Sequence, residues 1–105
     1  NSELQNQLRA FVNENGFHPD MSLTYVASHF HVSENYISTV FKKITNVNFS
    51  TYIESLRLSK ACELLSNTND TLENISHQLG YSNVHSFRRA FKRKYGITPN
   101  MHRST

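Results

Sequence analysis

With 105 residues, 11 Lys or Arg against 8 Asp or Glu and a net charge of +3, the chain has the size of one compact domain or two very small ones, enough to bury a core without staples. No run of about 18 apolar residues and no charged-then-apolar leader is found, which argues against a helical membrane span or a signal peptide and gives the expectation of a cytoplasmic protein with no membrane partner. Cys62 is the single cysteine, which excludes an internal disulfide and a multi-Cys zinc site, and its neighbours Ala61, Leu64 and Leu65 predict a buried thiol.

The predicted elements are helices almost throughout. Leu4, Leu8, Phe11 and Val12 recur at helical spacing, and Asn15 and Gly16, both tolerant of the left-handed conformation, predict where that first helix closes. His18, Pro19 and Asp20 form a loop. Ser22 then caps a short helix marked by Leu23, Val26, Ala27 and Phe30. Ser33 caps a longer one marked by Ile37, Val40, Phe41 and Ile44, which ends at Asn46. Phe49, Tyr52, Ile53, Leu56, Leu58, Ala61, Leu64 and Leu65 spread over more than one face. They predict a connecting helix with two buried sides. The polar stretch from Ser66 to Asp70 reads as a linker. Asp70 or Thr71 caps the next helix, with Glu73 completing a capping box if Asp70 is the cap. Leu72, Ile75 and Leu79 mark that helix, Gly80, Tyr81 and Ser82 the turn, and Phe87, Ala90, Phe91 and Tyr95 the helix after it. Gly96 closes it, and Thr98 with Pro99 opens a short last helix.

Residues 23–46 and 72–96 therefore repeat one short-helix, turn, longer-helix unit. The register offset is 49 before the turn and 50 after it, so one copy carries an extra residue where short insertions are cheapest. The charge is unevenly divided. Residues 1–73 hold five Lys or Arg and eight Asp or Glu, whereas residues 74–105 hold six and none. A charge run is by default a solvated face, but six cations without an acid form the footprint expected where a polyanion docks.

At 100° per residue, Asn35, Ser38, Thr39 and Lys42 lie opposite the apolar stripe of the first long helix, and His85, Arg88, Arg89 and Lys92 opposite that of the second. Arg forks onto guanine, Asn onto adenine, and the Thr methyl meets that of thymine. Only the N-terminal part of such a helix reaches base edges, which makes Asn35, Ser38, Thr39, His85, Arg88 and Arg89 the base-contact candidates. Lys42, Lys43, Lys92 and Arg93, further along, and Ser33 and Ser82 at the helix starts, are the phosphate-contact candidates. A polar outer face alone would favour nothing, but adjacent arginines on an exposed face have little structural use. Arg57, near Glu54, reads instead as an ion-pair or stem-packing residue. The six His are scattered, and no catalytic constellation or phosphate-cradling Gly loop is legible, so neither an enzyme nor a cofactor or metal site is expected. A helical protein-interaction module is the rival reading.

The segments SENYISTVFKKITNVNFSTYIESLRLSKACELL and ISHQLGYSNVHSFRRAFKRKYGITPNMHR resemble the DNA-binding domain of the AraC/XylS family of bacterial transcription regulators. The family's second-unit signature is met by Gly80, Tyr81, Phe87, Arg89, Phe91, Lys92, Gly96, Thr98, Pro99 and Arg103. Asn46 departs from a usual Gly, and Met101-His102 stands where an aromatic often precedes the closing Arg. The resemblance implies an all-α fold of about seven helices, with helix-turn-helix subdomains at residues 1–48 and 67–105 joined by a long central helix at 49–66. It implies recognition helices 34–45 and 83–95 in successive major grooves of double-stranded DNA. RNA polymerase is the expected partner of the full protein, together with a sensing, dimerisation or receiver domain outside this chain. A connecting helix of about 17 residues is roughly 25 Å long against about 34 Å between successive grooves, which predicts curved DNA.

Overall fold

The computed structural model describes residues 2–105, and every regular element among them is an α-helix. In chain order these are α1 (Ser2–Asn15), α2 (Leu23–Phe30), α3 (Glu34–Thr45), α4 (Phe49–Asn67), α5 (Leu72–Gln78), α6 (Val84–Tyr95) and α7 (Pro99–Ser104). Helices α2 to α7 each begin at a side chain that accepts a backbone N–H three residues on: Ser22, Ser33, Asn48, Thr71, Asn83 and Thr98. Each satisfies one of the donors that a helix start leaves without a partner.

Three expectations need correction, and one open choice is resolved. Asn15 and Gly16 do not close α1 through a left-handed residue, since neither has positive φ. Gly16 is instead buried where an added Cβ would run into the Leu56 side chain and approach the Val12 carbonyl to 3.1 Å, so close packing against α4 selects the small residue. Of the two candidate caps of α5, Thr71 is the one that acts, so the conditional capping box with Glu73 does not form, and the Asp70 carboxylate accepts from Gln78 at 3.1 Å. Cys62 is half-buried rather than buried. α6 starts at Val84 with Asn83 as its cap, so Ser82 stands one residue before the helix start instead of at it.

The last correction locates the extra residue of the repeat. His31 and Gly80, with φ of 58° and 92°, hold equivalent left-handed positions. Val32 and Tyr81 follow, bonding back to Ala27 and Ser76 at 3.1 and 3.0 Å. The caps come next, Ser33 directly in the first unit but Asn83 only after Ser82 in the second. Ser82 is thus the insertion.

Apolar side chains collect into two clusters. Leu8, Val12, Val26, Ala27, Ile37, Phe41, Phe49 and Ile53 form one, and Leu58, Ala61, Leu65, Leu72, Ile75, Leu79, Phe87, Ala90 and Phe91 the other. The central helix serves both lengthwise rather than on two full-length sides. Phe49 and Ile53, near its start, lie about 130° around the axis from Leu58, Ala61 and Leu65. The result is an elongated body of 45 × 22 × 21 Å, with α4 of 19 residues, about 28 Å long, as its spine. Arg103, near the chain end, donates to the Leu65 and Thr68 carbonyls at 3.2 and 3.3 Å, satisfying acceptors at the end of α4.

Candidate nucleic-acid interface

α3 and α6 are built alike from opposite faces. Ile37 and Phe41 in α3, and Phe87, Ala90 and Phe91 in α6, are buried and fix how each helix sits on its core. Phe41 and Phe91 occupy equivalent positions and are both 0% exposed, so the outward directions of the two helices are set by the same packing. Arg9, from α1, donates to the Ile44 carbonyl at 2.7 Å and Thr24 to the Glu34 carboxylate at 2.9 Å, which tie both ends of α3 to the first unit.

The opposite faces stay open. Asn35, Thr39, Lys42 and Lys43 on α3 and His85, Arg88, Arg89 and Lys92 on α6 are exposed, and among the described residues none makes a side-chain hydrogen bond or ion pair. Ser38 is half-buried, so it flanks the α3 face rather than crowning it. Ser33 spends its hydroxyl on the Tyr36 N–H at 3.0 Å, while Ser82 is exposed and free of the capping role. Arg88, Arg89, Lys92 and Arg93 line an open cleft of about 490 Å³ together with Leu72 and the start of α7. With Arg93 turned to Glu54, Arg88, Arg89 and Lys92 are the unpaired cations beside this cleft, and three such charges suit an anionic backbone passing over them.

Arg93 stands apart from the other phosphate candidates. Its Nη2 lies 2.6 Å from the Glu54 carboxylate on α4, and Lys94 beside it donates to the Ser55 hydroxyl at 3.1 Å. Nothing local in the sequence marks that pairing, which spans 39 residues. Tyr36, 39% exposed on the first turn of α3, was also not singled out by the sequence. It follows Asn35 and lies on the flank of the helix, about 90° around the axis from the buried stripe.

Arg57 is structural, as its position suggested, but it forms no ion pair. It is buried, and its guanidinium donates to the backbone carbonyls of Gly16 and His18 at 2.9 Å each while lying 5.3 Å from the centroid of the Tyr81 ring. Burial lowers its pKa, with Tyr81 acting in the opposite sense, and burial raises that of Tyr81. Burial and a hydrogen bond with Cys62 push the Tyr95 phenol up to about 12. The imidazole of His29 stacks on Phe11 at 4.0 Å, a packing role.

Two capped short-helix, turn, long-helix units, each turning a polar and partly cationic second helix outward, define a tandem helix-turn-helix module. A helix-turn-helix domain model matches residues 26–105. YfiF of Bacillus subtilis, named as an uncharacterized HTH-type transcriptional regulator, is 36% identical over 103 residues, which cover 98% of this chain and 32% of YfiF. The chain therefore spans about a third of that relative. Among solved structures, the C-terminal domain of AraT, a response regulator from Geobacillus stearothermophilus, aligns with a TM-score of 0.91 at 30% identity over 95% of this chain and 83% of its own. The DNA-binding domain of AdpA, solved in complex with a target DNA, shares the fold at a TM-score of 0.86 and 17% identity, covering 95% of this chain and 89% of that one. The chain belongs to the AraC family of helix-turn-helix transcription regulators, as a DNA-binding domain.

Proposed function

We propose that the domain reads double-stranded DNA in a sequence-specific manner by laying α3 and α6 in successive major grooves. The observation that carries this is the pair of equivalent long helices whose outer faces hold unpartnered Asn35 and Thr39 on one, and His85, Arg88 and Arg89 on the other. These side chains, with Ser38 at the flank, contact base edges. Ser33, Lys42, Lys43, Ser82 and Lys92 contact phosphates, and Arg93 joins them when it leaves Glu54.

Residues 1–48 and 67–105 act as the two reading subdomains and 49–66 as the connector. In the full protein the domain works in the bacterial cytoplasm beside a sensing, dimerisation or receiver domain and addresses RNA polymerase once on DNA. It carries out no catalysis. AraT, a response regulator matched through its C-terminal domain, supports the idea of a further domain.

Selection of binders from random duplexes of about 30 base pairs tests the reading. Two enriched motifs about one helical turn apart are expected. Enrichment of nothing, with no retention at low salt, would move the surface to protein contacts.

A further inference from the structure

The two units meet beside the middle of α4, and one side chain touches both. Arg57 donates from Nε to the Gly16 carbonyl and from Nη2 to the His18 carbonyl, which belong to the α1–α2 loop of the first unit. The same guanidinium lies against the Tyr81 ring in the turn of the second. That turn also approaches the loop directly. A Cβ on Gly80, where φ is 92°, would stand 2.5 Å from the Phe17 carbonyl oxygen and 2.8 Å from Arg57 Nη2. Phe17 in turn packs on the core of the second unit. Loop, arginine and turn form a clasp across the junction.

We propose that Arg57 is a positioning residue that fixes the separation and rotation of α3 relative to α6 and so sets which half-site spacing the domain accepts; this rests on the two-groove reading above. Adding one base pair between half-sites moves them about 3.4 Å apart and turns one by about 35°. Two recognition helices tolerate such a shift only if their units can rotate about the connector. A planar fork that bonds two carbonyls while its face covers a ring resists that rotation. Lysine, a single ammonium on a flexible stem, cannot do both at once. Rigid coupling also makes the second contact effectively intramolecular at one spacing and unavailable at others.

The test reads mechanics and DNA separately. Nitroxide labels on Ser28→Cys in the first unit and Glu73→Cys in the second, both exposed positions, are placed in a Cys62→Ala background. Their distance distribution is measured by pulsed electron resonance. Dissociation constants follow for duplexes carrying the selected half-sites at the optimal spacing and at one or two base pairs either side, and for duplexes with a single half-site. Arg57→Met is expected to broaden the distance distribution and to reduce the preference for optimal over one-base-pair-shifted DNA from about tenfold to about threefold, with single half-site binding within about twofold of wild type. Arg57→Lys falls between. Tyr81→Leu, which keeps both hydrogen bonds, carries the same readouts if Arg57→Met loses helicity. An unchanged distance distribution overturns the clasp and leaves the two-groove reading standing. A broadened distribution with an unchanged spacing preference overturns the positioning role. A wild-type domain with no spacing optimum removes the two-groove reading and that role with it.

Discussion

Asn46 and Gly96 end the two recognition helices in the same way, with φ of 66° and 79° and a backbone N–H bonded at 2.8 Å to the carbonyl of Lys42 and of Lys92. Both residues are left-handed, a conformation that costs an ordinary L-residue roughly 1–2 kcal/mol and glycine almost nothing. Around Gly96 an added Cβ meets nothing within 4 Å, so backbone strain is the only term a methyl introduces there. Gly96→Ala is therefore expected to lower stability by about 1 kcal/mol, and Asn46→Gly to raise it by a few tenths or more. Urea unfolding followed by circular dichroism measures both. A neutral Gly96→Ala would mean that α6 ends differently in solution.

Much of this architecture is local in sequence and was legible for that reason. A cap and the N–H it serves lie three residues apart, and an apolar stripe repeats within one or two turns, so Ser22, Ser33, Thr98 and the faces of α3 and α6 could be placed from spacing alone. The order of the repeat was equally visible, because Asn46 and Gly96 solve the same backbone problem. What escaped were choices between neighbours and contacts between distant segments. The sequence placed Ser82 at the start of α6, and only the backbone after Tyr81 puts the cap one residue later at Asn83. Arg57 reaches carbonyls 39 and 41 residues away, and backbone acceptors leave no mark on side-chain sequence. Glu54 and Arg93 are likewise separated by 39 residues. The outer faces were named from periodicity, yet which of their side chains meet bases depends on a partner the chain does not contain.

Arg88 and Arg89 are exposed and unpartnered on α6, and a bidentate arginine–guanine contact is worth about 1–3 kcal/mol. Alanine at either is expected to weaken binding to the selected duplex by about that amount and to relax preference at one base pair of the second half-site. Asn35→Ala and Thr39→Ala are expected to do the same at the first half-site only. Titrations against duplexes with one half-site scrambled separate the two. Equal losses on selected and random DNA would reassign these side chains to phosphates.

Phosphate contacts carry a separate signature. Lys42, Lys43 and Lys92 on phosphates give a slope of log K against log[salt] of roughly −3, and nearer −4 when Arg93 joins them, since each neutralised phosphate contributes about 0.9. Lys92→Ala is expected to make the slope shallower by about 0.9 and to weaken all sequences alike. A mutant slope equal to that of wild type would place the Lys92 ammonium away from the backbone.

Arg93 has two possible partners, and Glu54 holds it in free protein at 2.6 Å. The Arg93 side chain is 65% exposed, so the pair is screened and is worth at most about 1 kcal/mol. Glu54→Gln is expected to change stability by less than that. It also removes a carboxylate from beside α6 and frees a guanidinium, so affinity for DNA rises and the salt slope steepens by up to about 0.9. Thermal unfolding and salt titrations of the one variant read both effects. Unchanged binding would show that Arg93 does not reach a phosphate even when released.

The spine and the double helix differ in length. α4 spans 19 residues, about 28 Å, whereas adjacent major-groove faces of straight B-DNA are about 34 Å apart. Helices packed at the two ends of that spine cannot both enter straight grooves to full depth unless their outward tilt makes up the difference, and the Arg57 contacts to Gly16, His18 and Tyr81 resist such a tilt. Curving the DNA toward the protein by a few tens of degrees closes the gap at a cost of order 1–6 kcal/mol, less where flexible pyrimidine–purine steps lie between the half-sites. A circular-permutation gel is expected to show a bend centred between the two motifs, and placing a stiff A-tract there is expected to weaken binding although no side chain reads it. Straight DNA with both half-sites protected from cleavage would mean that the two units spread on binding, and the same experiment on Arg57→Met would then show no further change.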